Sequence, residues 1–167
     1  MAPMEPVDIT LLVLRVWAGI VMLMHGINHG RNLEGTAQWF EKIGFSQAKL
    51  NARLSFVSEI AIGLGLIAGL LTPFAAAGML ATMVVAFWTV HRFAGFFVFH
   101  RPDEGYEYVV TLALLATALA YLGPGEYSID ARLGLDLSGG IGALIAAGGL
   151  VVAIGQLTVL WRRPADR

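Results

Sequence analysis

Five apolar runs follow one another along the chain, at about residues 8–30, 52–71, 73–91, 104–122 and 139–161. Each comes close to the roughly 20 residues that an α-helix needs to cross a bilayer. The third can run on as far as Phe99. Turn chemistry separates the runs. Thr72-Pro73 predicts an N-cap followed by proline at the first helical position, which makes the second and third runs a tight antiparallel hairpin. Gly123-Pro124-Gly125 stops the fourth. Between the first two, Asn32 to Asn51 is polar but carries Trp39, Phe40, Ile43 and Phe45. That pattern suits a short amphipathic helix lying at the interface, or an ordinary ordered loop. The stretch His91 to His100, HRFAGFFVFH, has the make-up of an interfacial aromatic belt. No repeat is visible, and a single membrane domain over residues 1–167 accounts for the whole pattern.

The first run is the unusual one. Ile9 to Arg31 contains an arginine and two histidines, although ionisable groups in hydrocarbon are costly and normally face a bundle interior or a cavity. Arg15, Ala18, Gly19, Met22, His25, Gly26 and His29 recur every three or four residues and so share one face. Leu11, Leu12, Val13, Val16, Trp17, Ile20, Val21 and Leu23 lie around that stripe, placed to meet lipid.

Composition agrees with a membrane protein. Of the 167 residues, 57% are hydrophobic and 14% charged, against about 45–50% and 25% in soluble domains. Net charge is −1 and no basic tract occurs, so nucleic acid is not a partner. The absence of cysteine excludes a thiol–disulfide relay within this chain, and any redox role must use a cofactor or a partner. MAPMEPVDIT has no Lys or Arg ahead of the apolar run, and the first helix is expected to be retained rather than cleaved as a signal peptide.

Five spans divide the cations unevenly. One side receives only Arg132; the other receives Arg31, Lys42, Lys49, Arg53, Arg92, Arg101, Arg162, Arg163 and Arg167. Positive charge stays inside, so the N-terminus is expected outside and the C-terminus in the cytoplasm of a bacterial inner membrane. On that topology His25 and His29, Glu59, His91 and His100, and Glu107 all fall toward the cytoplasmic side.

Several chemical readings of this convergence stay open. A quinone or similar ring can be held by hydrogen bonds from His and Glu, with Trp88, Phe87 and Phe93 as aromatic walls. A metal can be held by His25 and His29, one turn apart, with Glu59 or His91 completing the site. A bis-histidine haem would use His91 with His25 or His29. A polar network that only holds the bundle together is the structural alternative. Ser55, Glu59 and Gly63 share a face that can pack on the first helix, with Glu59 bonded to a histidine or arginine. Arg15 can snorkel outward or pair with Asp8, Asp130 or Asp136. Gly65-x-x-x-Gly69 fits close helix packing.

The residues resemble the DoxX family of small bacterial membrane proteins. The resemblance rests on Leu14-Arg15 followed by Gly19, His25-Gly26, Trp39-Phe40 with Ile43-Gly44-Phe45, and Glu59 followed by glycines. It continues through Gly105 and Glu107 to Gly123-Pro124-Gly125-Glu126-Tyr127-Ser128-Ile129-Asp130, over about residues 8–132. It implies a four-helix membrane bundle and an association with redox metabolism, since relatives are linked to thiosulfate:quinone oxidoreductase subunits and to membrane complexes with a sulfurtransferase and superoxide dismutase. The family is functionally heterogeneous, so positions carry over and roles do not. The fifth helix, 139–161, the HRFAGFFVFH stretch and His29 depart from the family pattern.

The expectation is an all-α integral membrane bundle, a four-helix core plus a C-terminal fifth helix. Its leading function is a redox-associated inner-membrane subunit that binds a quinone or similar apolar ligand through Arg15, His25, His29, Glu59, His91, Glu107 and Trp88. The alternatives are a non-catalytic anchor or assembly module for a partner complex, and a carrier of small solutes. Beyond the bilayer, a membrane or cytoplasmic redox protein and further copies of this chain are the partners to consider.

Overall fold

The computed structural model describes residues 5–99 and 104–165, and among them the regular structure is helical. Helix α1 spans Pro6–Arg31, α2 Leu33–Lys42, α3 Ala48–Ala68, α4 Thr72–Thr89, α5 Glu107–Leu122, α6 Ile129–Leu133 and α7 Gly139–Leu160, with one 3-10 turn at His91–Phe93. The helices α1, α3, α4 and α7 are each long and apolar enough to cross a membrane. At 16 residues, α5 is a shorter apolar helix, yet it runs from the end of the bundle holding Phe96 to the end holding Ser138. Backbone polar groups must be satisfied internally in lipid, and helices do so by construction.

Two packed groups make up the bundle. α1 lies closely against α3, while α4 packs on both α5 and α7, and α3 joins the groups through α4. Glycine allows the α1–α3 approach: a Cβ on Gly63 would stand 2.8 Å from the Gly19 carbonyl oxygen and 2.7 Å from the Leu23 nitrogen. The face carrying Gly63 thus packs on α1 as its spacing predicts. The Gly65–Gly69 pair divides: Gly65 lies close against α4 as expected, where a Cβ would stand 3.2 Å from that of Ala75, and Gly69 has a different role. Gly69 ends α3 in the left-handed conformation (φ 65°), and its Cα lies beside Ser128 and Arg15 rather than against a facing helix. The α1 stripe is buried at Arg15, Ala18, Gly19, Met22 and Gly26. Leu11, expected toward lipid, joins the core instead, because the 123–128 segment covers it at Gly125.

At this end of the bundle the polar groups serve the fold. Arg15 is fully buried. Its Nη1 donates to the carbonyls of Leu66 and Ile67, both at 2.7 Å, and its Nη2 to that of Tyr127 at 2.7 Å. The last carbonyls of a helix lack intrahelical partners and carry the negative end of its dipole, so a cation there satisfies both. Asp130 does the converse for α4, accepting from the backbone N–H of Leu71 at 2.7 Å and of Thr72 at 2.8 Å. Thr72 is therefore the first residue of α4 and not its cap. Leu71 occupies the cap position at φ 48°, and a carboxylate 58 residues further on satisfies the helix start. Of the three carboxylates considered for Arg15, none forms an ion pair with it: Asp130 attracts it only from a longer distance, while Asp8 accepts from the Glu126 N–H at 3.0 Å. Asp136 accepts from the Ser138 hydroxyl at 2.6 Å and from its N–H at 3.1 Å. Those bonds hold the Asp136 carboxyl below the usual carboxylate range.

At the other end, Asn32–Lys42 does form an amphipathic helix, started by the Asn32 side chain accepting from Gly35 N–H at 2.9 Å. Its Ala37 and Phe40 pack with Ile43, Phe45, Ala52, Val90 and Trp161 in a second core. The end of α7 is stitched to the loop after α2. Ser46 N–H donates to Leu160 at 2.8 Å, Arg162 N–H to Gly44 at 2.9 Å, and Trp161 Nε1 to Ile43 at 2.7 Å. The third run does not continue to Phe99: α4 stops at Thr89. Segment 95–97 folds back and offers carbonyls to Gly105, Tyr106 and Glu107, which is why α5 starts at 107 rather than 104. His100 lies outside the described residues.

Three outcomes follow. Arg15→Met leaves three carbonyls without a donor and should lower unfolding stability by about 3 kcal/mol or more, at about 1–3 kcal/mol for each buried acceptor left unpaired. Asp130→Ala should cost about 1–3 kcal/mol. Thermal melts followed by circular dichroism in detergent read both. Gly63→Val should push α1 off α3, seen as an earlier melt and a broader gel-filtration peak.

Candidate functional site

Opposite the Arg15 end, the gap between the two helix groups opens into a cavity of about 560 Å³. That lies within the roughly 300–1,000 Å³ of small-molecule sites. His25 and His29 of α1, Trp39 of α2, Glu59 of α3, His91 after α4, and Tyr108 of α5 line it, with Met22, Met83, Ala86 and Val109 as apolar walls.

The structure brings four of the expected residues to this cavity: His25, His29, Glu59 and His91. Their convergence comes from the α1–α3 glycine contact, which sets His29 opposite Glu59. Nδ1 of His29 lies 3.0 Å from Glu59 Oε2 and 2.9 Å from Ser55 Oγ, and Ser55 Oγ donates to Glu59 Oε1 at 2.6 Å. Because Ser55 gives its proton to the carboxylate, its oxygen is left able to accept from a hydrogen on His29 Nδ1. The ring is aligned with Ser55 rather than with Oε2. Consequently Glu59 Oε2 is buried and has no hydrogen-bond partner despite its nearness to the imidazole. Such an oxygen costs free energy until something donates to it.

His25 and Tyr108 lie on the cavity wall as a stacked pair of rings, centroids 6.5 Å apart. Trp39 and Phe40 flank His29 at 6.4 Å each. His91 is anchored by Nδ1 to the carbonyl of Glu104 at 2.7 Å. Both threonines of the lining are already engaged: Thr36 Oγ1 donates to the His29 carbonyl at 3.0 Å, and Thr82 Oγ1 to that of Gly78 at 3.0 Å.

Arg15, Glu107 and Trp88 line neither this cavity nor its neighbour. Arg15 is consumed by helix-end carbonyls. Glu107 is the first residue of α5, where a carboxylate complements the helix dipole. Trp88 stacks beneath Arg92, whose guanidinium carbon stands 4.1 Å from its ring centre, with Phe93 at 4.5 Å. Among the described residues, no group of three or more His, Cys, Asp or Glu is arranged to hold a metal ion. His25 and His29 sit one turn apart, but His29 turns its Nδ1 to Glu59 and Ser55 while His25 stacks on Tyr108.

Sequence reading passes over Trp39, Tyr108 and Asn28, which line the cavity, because aromatics and amides near a span end look like interfacial anchors. It also passes over Gln156 of α7, whose amide donates to Asn51 Oδ1 at 3.0 Å and ties α7 to α3. A lone amide in an otherwise apolar span is the available signal.

A second cavity, about 500 Å³, adjoins the first and shares His29, Trp39, Glu59, Thr82 and Ala86 with it. The remainder of its wall is mainly apolar, from Phe40, Ile43, Phe45, Leu54, Val85, Val152 and Leu160.

The family model of DoxX matches residues 10–92, from α1 to the 3-10 turn after α4, and so includes His25, His29, Ser55, Glu59 and His91. No curated protein and no solved structure matches the chain. With the helical membrane bundle and the family match together, the chain belongs to the DoxX family.

Proposed function

We propose that this chain is a redox-associated membrane subunit that binds a quinone, or a ring compound of similar polarity, in the cavity between α1, α2, α4 and α5. The observation that carries this reading is Glu59 Oε2, a buried acceptor without a donor on the wall of a cavity of about 560 Å³. A hydroxyl of the reduced ring, the hydroquinone, would donate to it; the oxidised ring carries only carbonyl acceptors and cannot. The ring's other oxygen, a hydroxyl in the reduced form or a carbonyl in the oxidised one, would accept from His25 or from the Tyr108 hydroxyl, and Trp39 supplies a flat face. When bound, such a ring supplies two-electron, two-proton redox chemistry. His29 and Glu59 would hold or release a proton next to it, with Ser55 fixing the carboxylate's orientation.

Membrane placement follows the charge count: N-terminus outside, C-terminus in the cytoplasm of a bacterial inner membrane, with 1–167 as one membrane domain. The cavity then lies in the cytoplasmic half, within reach of a redox partner there. A second reading, a structural anchor for a partner complex, draws support from the His29–Ser55–Glu59 network itself, which links α1 to α3 whether or not a ligand is bound.

Titrating the full chain in lipid nanodiscs with a tail-less benzoquinone and, separately, with its hydroquinone separates these readings. Binding should quench Trp39 fluorescence, with the signal lost in Trp39→Phe. Glu59→Gln should weaken binding of the hydroquinone, and His25→Ala binding of both forms, by at least tenfold while the melting temperature moves by only a few degrees. A drop in melting temperature with no quinone binding by the unaltered protein would favour the anchor.

A further inference from the structure

The second cavity has no polar task of its own. Its wall is mostly apolar, and its polar members are mostly engaged: Ser55 with Glu59, Gln156 with Asn51, and Thr89 Oγ1 with the Val85 carbonyl at 2.9 Å. It meets the first cavity at a neck bounded by His29, Trp39 and Glu59 on one side and by Thr82 and Ala86 of α4 on the other. The small α4 side chains leave that neck room. At its far end, the cavity lies between Leu54 of α3 and Val152 of α7, which are 50% and 64% exposed on the surface that lipid would cover. α3 and α7 do not pack along their length; they are tied through Asn51 and Gln156 near the α2 end.

We propose that the two cavities are the two arms of one site for a long-chain amphiphile. The polar ring occupies the first arm, and a single isoprenoid or alkyl chain runs past Thr82 and Ala86, through the second, and out to the bilayer between α3 and α7. This rests on the ring-binding reading above and adds to it the ligand class and the route of entry. The occupant is a chain, not a second ring, because the second arm is continuous with the ring site, offers little free hydrogen bonding and ends in lipid. A hydrocarbon chain gains little free energy on moving from lipid tails to an equally apolar cavity. The second arm therefore decides which ligands can seat, more than how tightly they bind.

Gly155 and Val152 line only the second arm. A Cβ at Gly155 would meet nothing within 4 Å, so Gly155→Leu fills the cavity without displacing a neighbour. Val152→Trp blocks the lipid-side mouth from a position already exposed. The experiment compares two probes in nanodiscs, a tail-less methoxy-substituted benzoquinone and the same ring bearing a decyl chain. Unaltered protein should bind both. Each variant should bind the tail-less ring within twofold of the unaltered protein, which also shows that it has folded, and should bind the decyl ring at least tenfold more weakly. Equal binding of the decyl ring by the variants and the unaltered protein would overturn the two-arm site, leave the ring site standing, and assign the second cavity to a phospholipid chain. Failure of the unaltered protein to bind the tail-less ring would overturn the ring site and the two-arm proposal with it.

Discussion

A helix that ends inside a membrane protein leaves up to four carbonyls or four N–H groups without partners, and lipid offers them nothing. The architecture of this chain follows from how it meets that constraint at the turn between α3 and α4. Arg15 supplies donors to the closing carbonyls of α3, Asp130 supplies acceptors to the opening N–H groups of α4, and the 123–133 segment is held between them. Two residues 115 positions apart thereby fix the hairpin and the α1–α3 pair. The glycines of α1 and α3 then set how closely those helices approach, and so where His29 stands relative to Glu59.

The opposite end of the bundle treats its polar residues differently. Arg15 places both terminal nitrogens in bonds, and although its Nε and the Thr72 hydroxyl lack partners, neither residue lines a cavity. Glu59 has one oxygen bonded and one left over, and it stands on the wall of two adjoining cavities. Ionisable residues of similar appearance in the sequence thus divide into a group that completes helix ends and a group that faces open space. The fifth helix belongs with the second group. It is fastened to the loop after α2 and to Asn51, and it closes the second cavity from the side.

The apolar helices were legible because a bilayer imposes a minimum length and an apolar surface, and both show in a single sequence. The amphipathic α2 was legible for the same reason, its apolar residues falling on one helical face. What could not be read locally depends on distant partners. Asp130 caps α4 across 58 residues, carbonyls at 95–97 displace the first turn expected of α5, and α6 forms only where Ser128 caps it. At the site, His25, His29, Glu59 and His91 stood out because charge in an apolar run is conspicuous. Arg15, Glu107 and Trp88 gave the same signal and lie elsewhere, since conspicuousness does not tell a helix-end partner from a cavity lining. Trp39 and Tyr108 were hidden by resembling interfacial anchors.

Identification of what the protein carries from its own membrane tests the ring site most directly. Full-length protein would be extracted gently, its mass measured under native conditions, and the released small molecules identified, in parallel for the unaltered chain and for Glu59→Gln. One lipid-soluble ring compound per chain, present in the unaltered protein and lost from the variant, is the expected result. A bare chain in both preparations, or phospholipid alone in both, would contradict it.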